Sequence, residues 1–147
     1  MNNERGITLV EGLAALVILS IIGVLIWNVF FQGYKYSQNA VSKNTMQQEA
    51  NIIITNLTRI HQTSQEYTIT NSNGVVTITA TNPDVSTKFK NSKVNYWIKE
   101  SKTEVDEQDR TIGPVNPKIS KMELFIIIKD KQDSRNKVEI ETLLYRL

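Results

Sequence analysis

Between Gly12 and Phe31 the chain runs for twenty residues without a charged side chain, GLAALVILSIIGVLIWNVFF, and only Ser20 and Asn28 are clearly polar. As a helix this stretch measures roughly 30 Å, the thickness of a bilayer's hydrocarbon core. Thirteen of the twenty are Leu, Ile, Val or Phe, and their summed preference for the bilayer centre is at most about −4 to −8 kcal/mol. A secretory signal has an apolar stretch of only roughly 7 to 15 residues, followed by small residues at the cleavage site. Here the run is longer, and the sequence after Phe31, QGYKYSQNAVSKNT, offers no such site. The run therefore predicts a membrane-spanning helix. Arg5 and the amino terminus precede it and Lys35 follows it, which favours a cytoplasmic N-terminus.

The anomalous residue is Glu11, an acid at the edge of the apolar helix. A carboxylate at full bilayer depth costs on the order of 3 kcal/mol, and such residues usually have a partner and a function. The blander reading is an interfacial acid near a helix N-terminus, where negative charge is favoured. The whole sequence context is specific. Gly6 is followed by Ile7, Thr8, Leu9, Val10 and Glu11, and then by the apolar run. This arrangement resembles the class III signal of type IV prepilins and of the pseudopilins of related secretion and DNA-uptake machines.

The resemblance implies a membrane aspartyl peptidase that cuts between Gly6 and Ile7 and methylates the new amine of Ile7, where the family usually has phenylalanine. It implies three segments: a leader over 1–6, a transmembrane and assembly helix over 7–34, and an extracytoplasmic domain over 35–147. It also gives Glu11 a docking role, meeting the N-terminal amine of a neighbouring subunit. The physical logic is general: a carboxylate and an ammonium buried in a helix bundle each carry a large desolvation cost, and pairing relieves both. The implied partners are other pilin-like subunits, the prepilin peptidase, an inner-membrane assembly platform, and membrane lipid before assembly. The implied destination is the cell membrane and then a surface filament.

The helical pattern continues past the membrane. Ala40 or Val41, Met46, Ala50, Ile53 with Ile54, Leu57 and Ile60 recur at spacings of three and four, one face of a helix reaching about Thr63. No proline interrupts Ile7 to Thr63, so a helix about 85 Å long is expected. From Glu66 the period becomes alternating. YTIT and VVTITA flank Asn73 and Gly74, a hairpin signal. VNYWIKE, MELFIIIKD and VEIETLLYRL read as further strands, while the charged, proline-containing residues 101–118 read as an exposed loop. The expected class is α+β: a long N-terminal helix, membrane-spanning in its first half and amphipathic in its second, packed against an antiparallel β-sheet.

The rest of the composition mostly excludes. With 17 basic and 15 acidic residues the formal charge is +2, which selects no partner. The absence of cysteine excludes disulfides, thiolate metal sites and a cysteine nucleophile. No phosphate loop, GxSxG or HExxH occurs, so no catalytic residue, metal or cofactor is expected. The lone His61 suits charge complementation at a helix C-terminus. The acids at 104 to 109 lack the spacing of a calcium loop. Lys88, Lys90 and Lys93 lie beside Tyr96 and Trp97 in KFKNSKVNYWIK, a candidate nucleic-acid contact, with DNA as the corresponding partner. Strand alternation argues instead for buried aromatics and solvated lysines. The competing function is a membrane-anchored binding module that keeps its first six residues.

Overall fold

A computed structural model describes residues 8–105, 107–119 and 121–146. The order of elements is α1 (Leu9–Thr63), β1 (Glu66–Ser72), β2 (Val75–Thr81), β3 (Val85–Phe89), β4 (Val94–Lys99), β5 (Arg110–Val115), β6 (Met122–Asp130) and β7 (Lys137–Leu144). The chain divides into two compact units, Met1–Ala40 and Val41–Leu147. In the first unit the described residues are the start of α1, and its large apolar side chains from Leu9 to Phe31 are exposed.

In the second unit α1 buries Met46, Ala50, Ile53, Leu57, Ile60 and His61. This is the stripe expected from the spacing, with one correction at its start. Val41 is 61% exposed, so the packed face begins at Met46. Facing it are the alternate residues of the strands, among them Tyr67, Ile69, Val76, Ile78, Tyr96, Ile98, Leu124, Ile126 and Ile128. A core residue of this size contributes roughly 1.5–3 kcal/mol by leaving water. That burial, more than helix propensity, holds the second part of α1 on the strands.

The strands form two antiparallel sheets, β3-β2-β1-β5 and β4-β6-β7, where the sequence predicts one. The separation lies along one edge of β4. There the side chain of Asn71 replaces a ladder: its Nδ2 donates to the Ile98 carbonyl at 2.7 Å and its Oδ1 accepts from the Ile98 N–H at 2.9 Å. The Tyr96 N–H donates to the Gly74 carbonyl at 2.9 Å. The tip of the β1–β2 hairpin thus closes β4 without becoming its neighbouring strand. Asn73 and Gly74 have the positive φ values, 50° and 71°, that the turn requires. A Cβ on Gly74 would come within 2.5 Å of the Asn95 side chain.

Two strands differ from expectation. β3 fills the short stretch between the Asn82–Asp84 turn and Lys90 and pairs along β2. β5 lies inside the region read as an exposed loop. Ile112 and Val115 are buried there, and β5 pairs with β1 across an irregularity between Tyr67 and Ile69. Pro114, which has no N–H, is accommodated because β5 is an edge strand.

Candidate functional site

The N-terminal site is visible from Thr8 onward; Gly6 and Ile7, the residues of the expected cleavage and methylation, lie outside the described residues. Thr8 precedes the first helical residue. Its N–H and its hydroxyl each donate to Glu11 Oε2 at 2.9 Å, and the Glu11 N–H donates to Thr8 Oγ1 at 3.3 Å. This is a reciprocal capping box, in which a residue at the cap and an acid three positions on satisfy each other's backbone groups. Thr-x-x-Glu before an apolar run is its signature, and it was present in the sequence beside the docking motif. Glu11 is exposed, so its carboxylate is both internally bonded and accessible. About two turns into the run, Ser20 Oγ donates to the Leu16 carbonyl at 2.8 Å, which satisfies a hydroxyl that lipid cannot.

Among the described residues α1 is the one helix long and apolar enough to cross a membrane. Its exposed apolar residues include Leu13, Leu16, Val17, Leu25, Ile26, Trp27 and Phe30, a surface suited to lipid or to other apolar helices.

The candidate nucleic-acid residues are separated by burial. Lys88, Lys90 and Lys93 are exposed, whereas Tyr96 and Trp97 are 1% and 7% exposed. Tyr96 donates from its hydroxyl to Glu49 Oε2 at 3.0 Å, and Asn91 Nδ2 donates to Glu49 Oε1 at 3.0 Å. Burial, followed by the Glu49 hydrogen bond, pushes the Tyr96 hydroxyl well above its ordinary pKa. Stacking of bases on these two rings is therefore corrected: neither presents a face to solvent.

The acidic loop is engaged from within. Burial works to raise the Glu104 carboxyl, but the N–H groups of Glu100 and Ser101 and the Arg110 guanidinium together hold it below its ordinary value. Glu107 pairs with Lys129, and Asp109 Oδ1 accepts from the Asn73 N–H at 2.7 Å. Lys99, 2% exposed, donates to the carbonyls of Lys102 and Glu104 at 3.3 and 3.4 Å and meets Glu139 at 3.4 Å. These contacts draw the loop over the second face of β4 and β6. Among the described residues no cluster of three or more His, Cys, Asp or Glu has the arrangement of a metal site.

His61 is fully buried, which corrects its reading as a charged helix terminus. Its Nδ1 is 2.9 Å from the Tyr67 hydroxyl, which donates onward to Met122 Sδ at 3.6 Å. Burial lowers the imidazole pKa, and Arg146 lowers it further. The folded state therefore favours the neutral imidazole, and the unfolded chain binds the proton more tightly. Stability is expected to be complete above the unfolded value of about 6.5 and to fall as pH drops below it, by at most about 1.4 kcal/mol per pH unit. Urea titrations at stepped pH should show that slope. His61→Gln, which retains a polar partner for Tyr67 but does not titrate, should flatten it.

Residues 1–27 match the family profile of the prokaryotic N-terminal methylation motif. Together with the long N-terminal helix and the antiparallel sheets, this fits a type IV pilin-like protein. No curated protein and no solved structure matches the chain. The motif carries with it processing by a prepilin peptidase and assembly with other pilin subunits, and with the apolar helix it supports membrane anchoring and a surface filament. The pilin-like match covers Gly6, Ile7, Thr8 and Glu11 and ends four residues before Phe31, so the second unit owes nothing to it.

Proposed function

We propose that this pilin-like protein is a non-enzymatic structural subunit, of the minor kind, in a type IV pilus or a related pseudopilus. Residues 1–6 are a leader removed after Gly6, Ile7 becomes the methylated N-terminus, and Glu11 docks the subunit on its neighbour's amine. Residues 7–34 hold the subunit first in the membrane and then in the filament, and residues 35–147 form the extracytoplasmic domain. Before processing the N-terminus is cytoplasmic, and an inner-membrane platform drives assembly. The observation that carries this reading is the methylation motif running directly into an apolar helix whose side chains are exposed. The structural role is the same whichever service the filament performs, DNA uptake, secretion or adhesion.

The test is fractionation after shearing cells that do or do not express the prepilin peptidase. The chain is expected in the sheared filament fraction only when the peptidase is present. An unprocessed, membrane-anchored binding module would remain with the membranes in both strains, and that outcome would replace the filament reading.

A further inference from the structure

One end of the second unit is basic, and contacts along α1 identify which end it is. Ser42 Oγ donates to Asp130 Oδ2 at 2.8 Å, and Glu49 holds Asn91 and Tyr96. The β3–β4 loop and the β6–β7 hairpin are therefore gathered at the start of the unit, while Arg146 meets the Ser64 carbonyl at the other end of the helix. The loop and hairpin are tied to each other: the Lys131 N–H donates to the Lys93 carbonyl at 2.9 Å, and Lys131 Nζ to the Asn91 carbonyl at 2.8 Å. This brings Lys90, Lys93 and Lys131 together, all exposed.

The nearby acids are already engaged. Asp133 pairs with Arg135. Asp130 accepts from Ser42 and from the Gln132 N–H, and that N–H is the main cause of its lowered pKa. Among the described residues no carboxylate pairs with Lys90, Lys93 or Lys131.

Chain length sets where this cluster can act. The apolar run is followed by Tyr34, Lys35 and Tyr36, with both tyrosines exposed. Aromatic and basic residues in that position mark a membrane–water interface. Only five residues separate Tyr36 from Ser42 in the sequence, so even fully extended they span at most about 20 Å, inside the screening length of about 30 Å at 0.01 M salt. A basic surface within that reach responds to headgroup charge at low ionic strength.

We propose that Lys90, Lys93 and Lys131 form a docking surface for anionic phospholipid headgroups, which holds the globular unit against the membrane before assembly. The proposal rests on the membrane-anchored reading of residues 7–34. Each lysine near an anionic surface favours the docked state by roughly fivefold, so the three together favour it by on the order of a hundredfold at low salt. Nucleic acid is disfavoured as the occupant because the neighbouring aromatic rings are buried.

The chain has no cysteine, so single fluorophores can be placed on the full-length protein at Gln132→Cys or Gln32→Cys. Each is placed in nanodiscs of phosphatidylcholine alone or with about one-third phosphatidylglycerol, a composition that supplies the surface potential, carrying headgroup-linked acceptors. Energy transfer at position 132 is expected to rise with phosphatidylglycerol and to return to the phosphatidylcholine value near 1 M salt, where the screening length is about 3 Å. Lys90→Gln, Lys93→Gln and Lys131→Gln in combination should abolish the rise. Transfer at position 32 should be high in both lipids; if it is not, the membrane reading itself fails. High transfer at 32 with no lipid dependence at 132 overturns the docking surface. So does a response at 132 to duplex DNA, lost in the triple variant, without any response to phosphatidylglycerol. The salt titration uses unaltered lysines, so the outcome does not depend on how the variant folds.

Discussion

Leucine in place of Asn71 is expected to lower the stability of the globular unit by about 2–6 kcal/mol, the largest loss from any single polar substitution considered. Asn71 is 2% exposed, and both of its amide atoms are committed to the backbone of Ile98. Leucine has nearly the same shape but leaves an N–H and a C=O of β4 buried and unpaired, each at about 1–3 kcal/mol. Against a total stability of about 5–15 kcal/mol this is a large fraction. Urea unfolding should show a lower midpoint with an unchanged slope, because the surface exposed on unfolding is the same. Asn71→Asp, which keeps the acceptor for the Ile98 N–H but sets a second oxygen against the Ile98 carbonyl, should also be destabilised. An Asn71→Leu midpoint within error of the parent would mean that the apparent splice between sheets contributes nothing.

Glu11→Ala is expected to reduce incorporation into filaments by on the order of a hundredfold or more, since a buried amine left without its carboxylate costs about 3–5 kcal/mol. Cleavage and membrane insertion should persist, because alanine is compatible with the apolar helix. The capping box complicates this variant, because the carboxylate also binds the N–H and hydroxyl of Thr8. Thr8→Val separates the roles. It removes the hydroxyl from the cap, at a cost of about 0.5–2 kcal/mol to the helix start, and leaves the carboxylate for a neighbouring subunit. Docking through Glu11 requires that Thr8→Val assemble far better than Glu11→Ala, as judged by the chain's abundance in sheared filaments. Equal loss in the two variants would assign Glu11 to the cap alone.

Much of the architecture was legible because it is written in periodicity. The α1 stripe from Met46 to Ile60 follows the helical period, and β6 runs over the same residues, Met122–Asp130, that its short apolar run and β-branched content suggest. The hairpin at Asn73–Gly74 was legible from turn chemistry. What periodicity could not carry was lost. β5 has only Ile112 and Val115 facing inward, and the irregularity opposite Tyr67 breaks their alternation, so charge and proline content dominated its reading. At the seam between the two sheets stands the side-chain amide of Asn71, a contact that no periodicity announces.

The candidate sites follow the same logic. Both Tyr96 and Trp97 are buried, as the strand reading expects, but they are adjacent and so face opposite sides of β4, and alternation accounts for only one of them. Tyr96 belongs to the main core, and Trp97 is covered on the opposite face, where the loop after β4 returns to Lys99 and Lys129. A composition reading sees an acidic loop but not the buried lysine that anchors it. His61 was misjudged for a similar reason: its position in the last turn of α1 suggests solvent, while its hydrogen bond to Tyr67 comes from the next element.

The measurement that tests the central claim most directly is the N-terminal sequence and intact mass of the protein recovered from cells with and without the prepilin peptidase. The expected result is a chain beginning at Ile7 and carrying one added methyl group when the enzyme is present, and the unprocessed chain when it is absent. An N-terminus that is still Met1 in both strains, or a cut beyond Phe31 that removes the apolar helix, would contradict it.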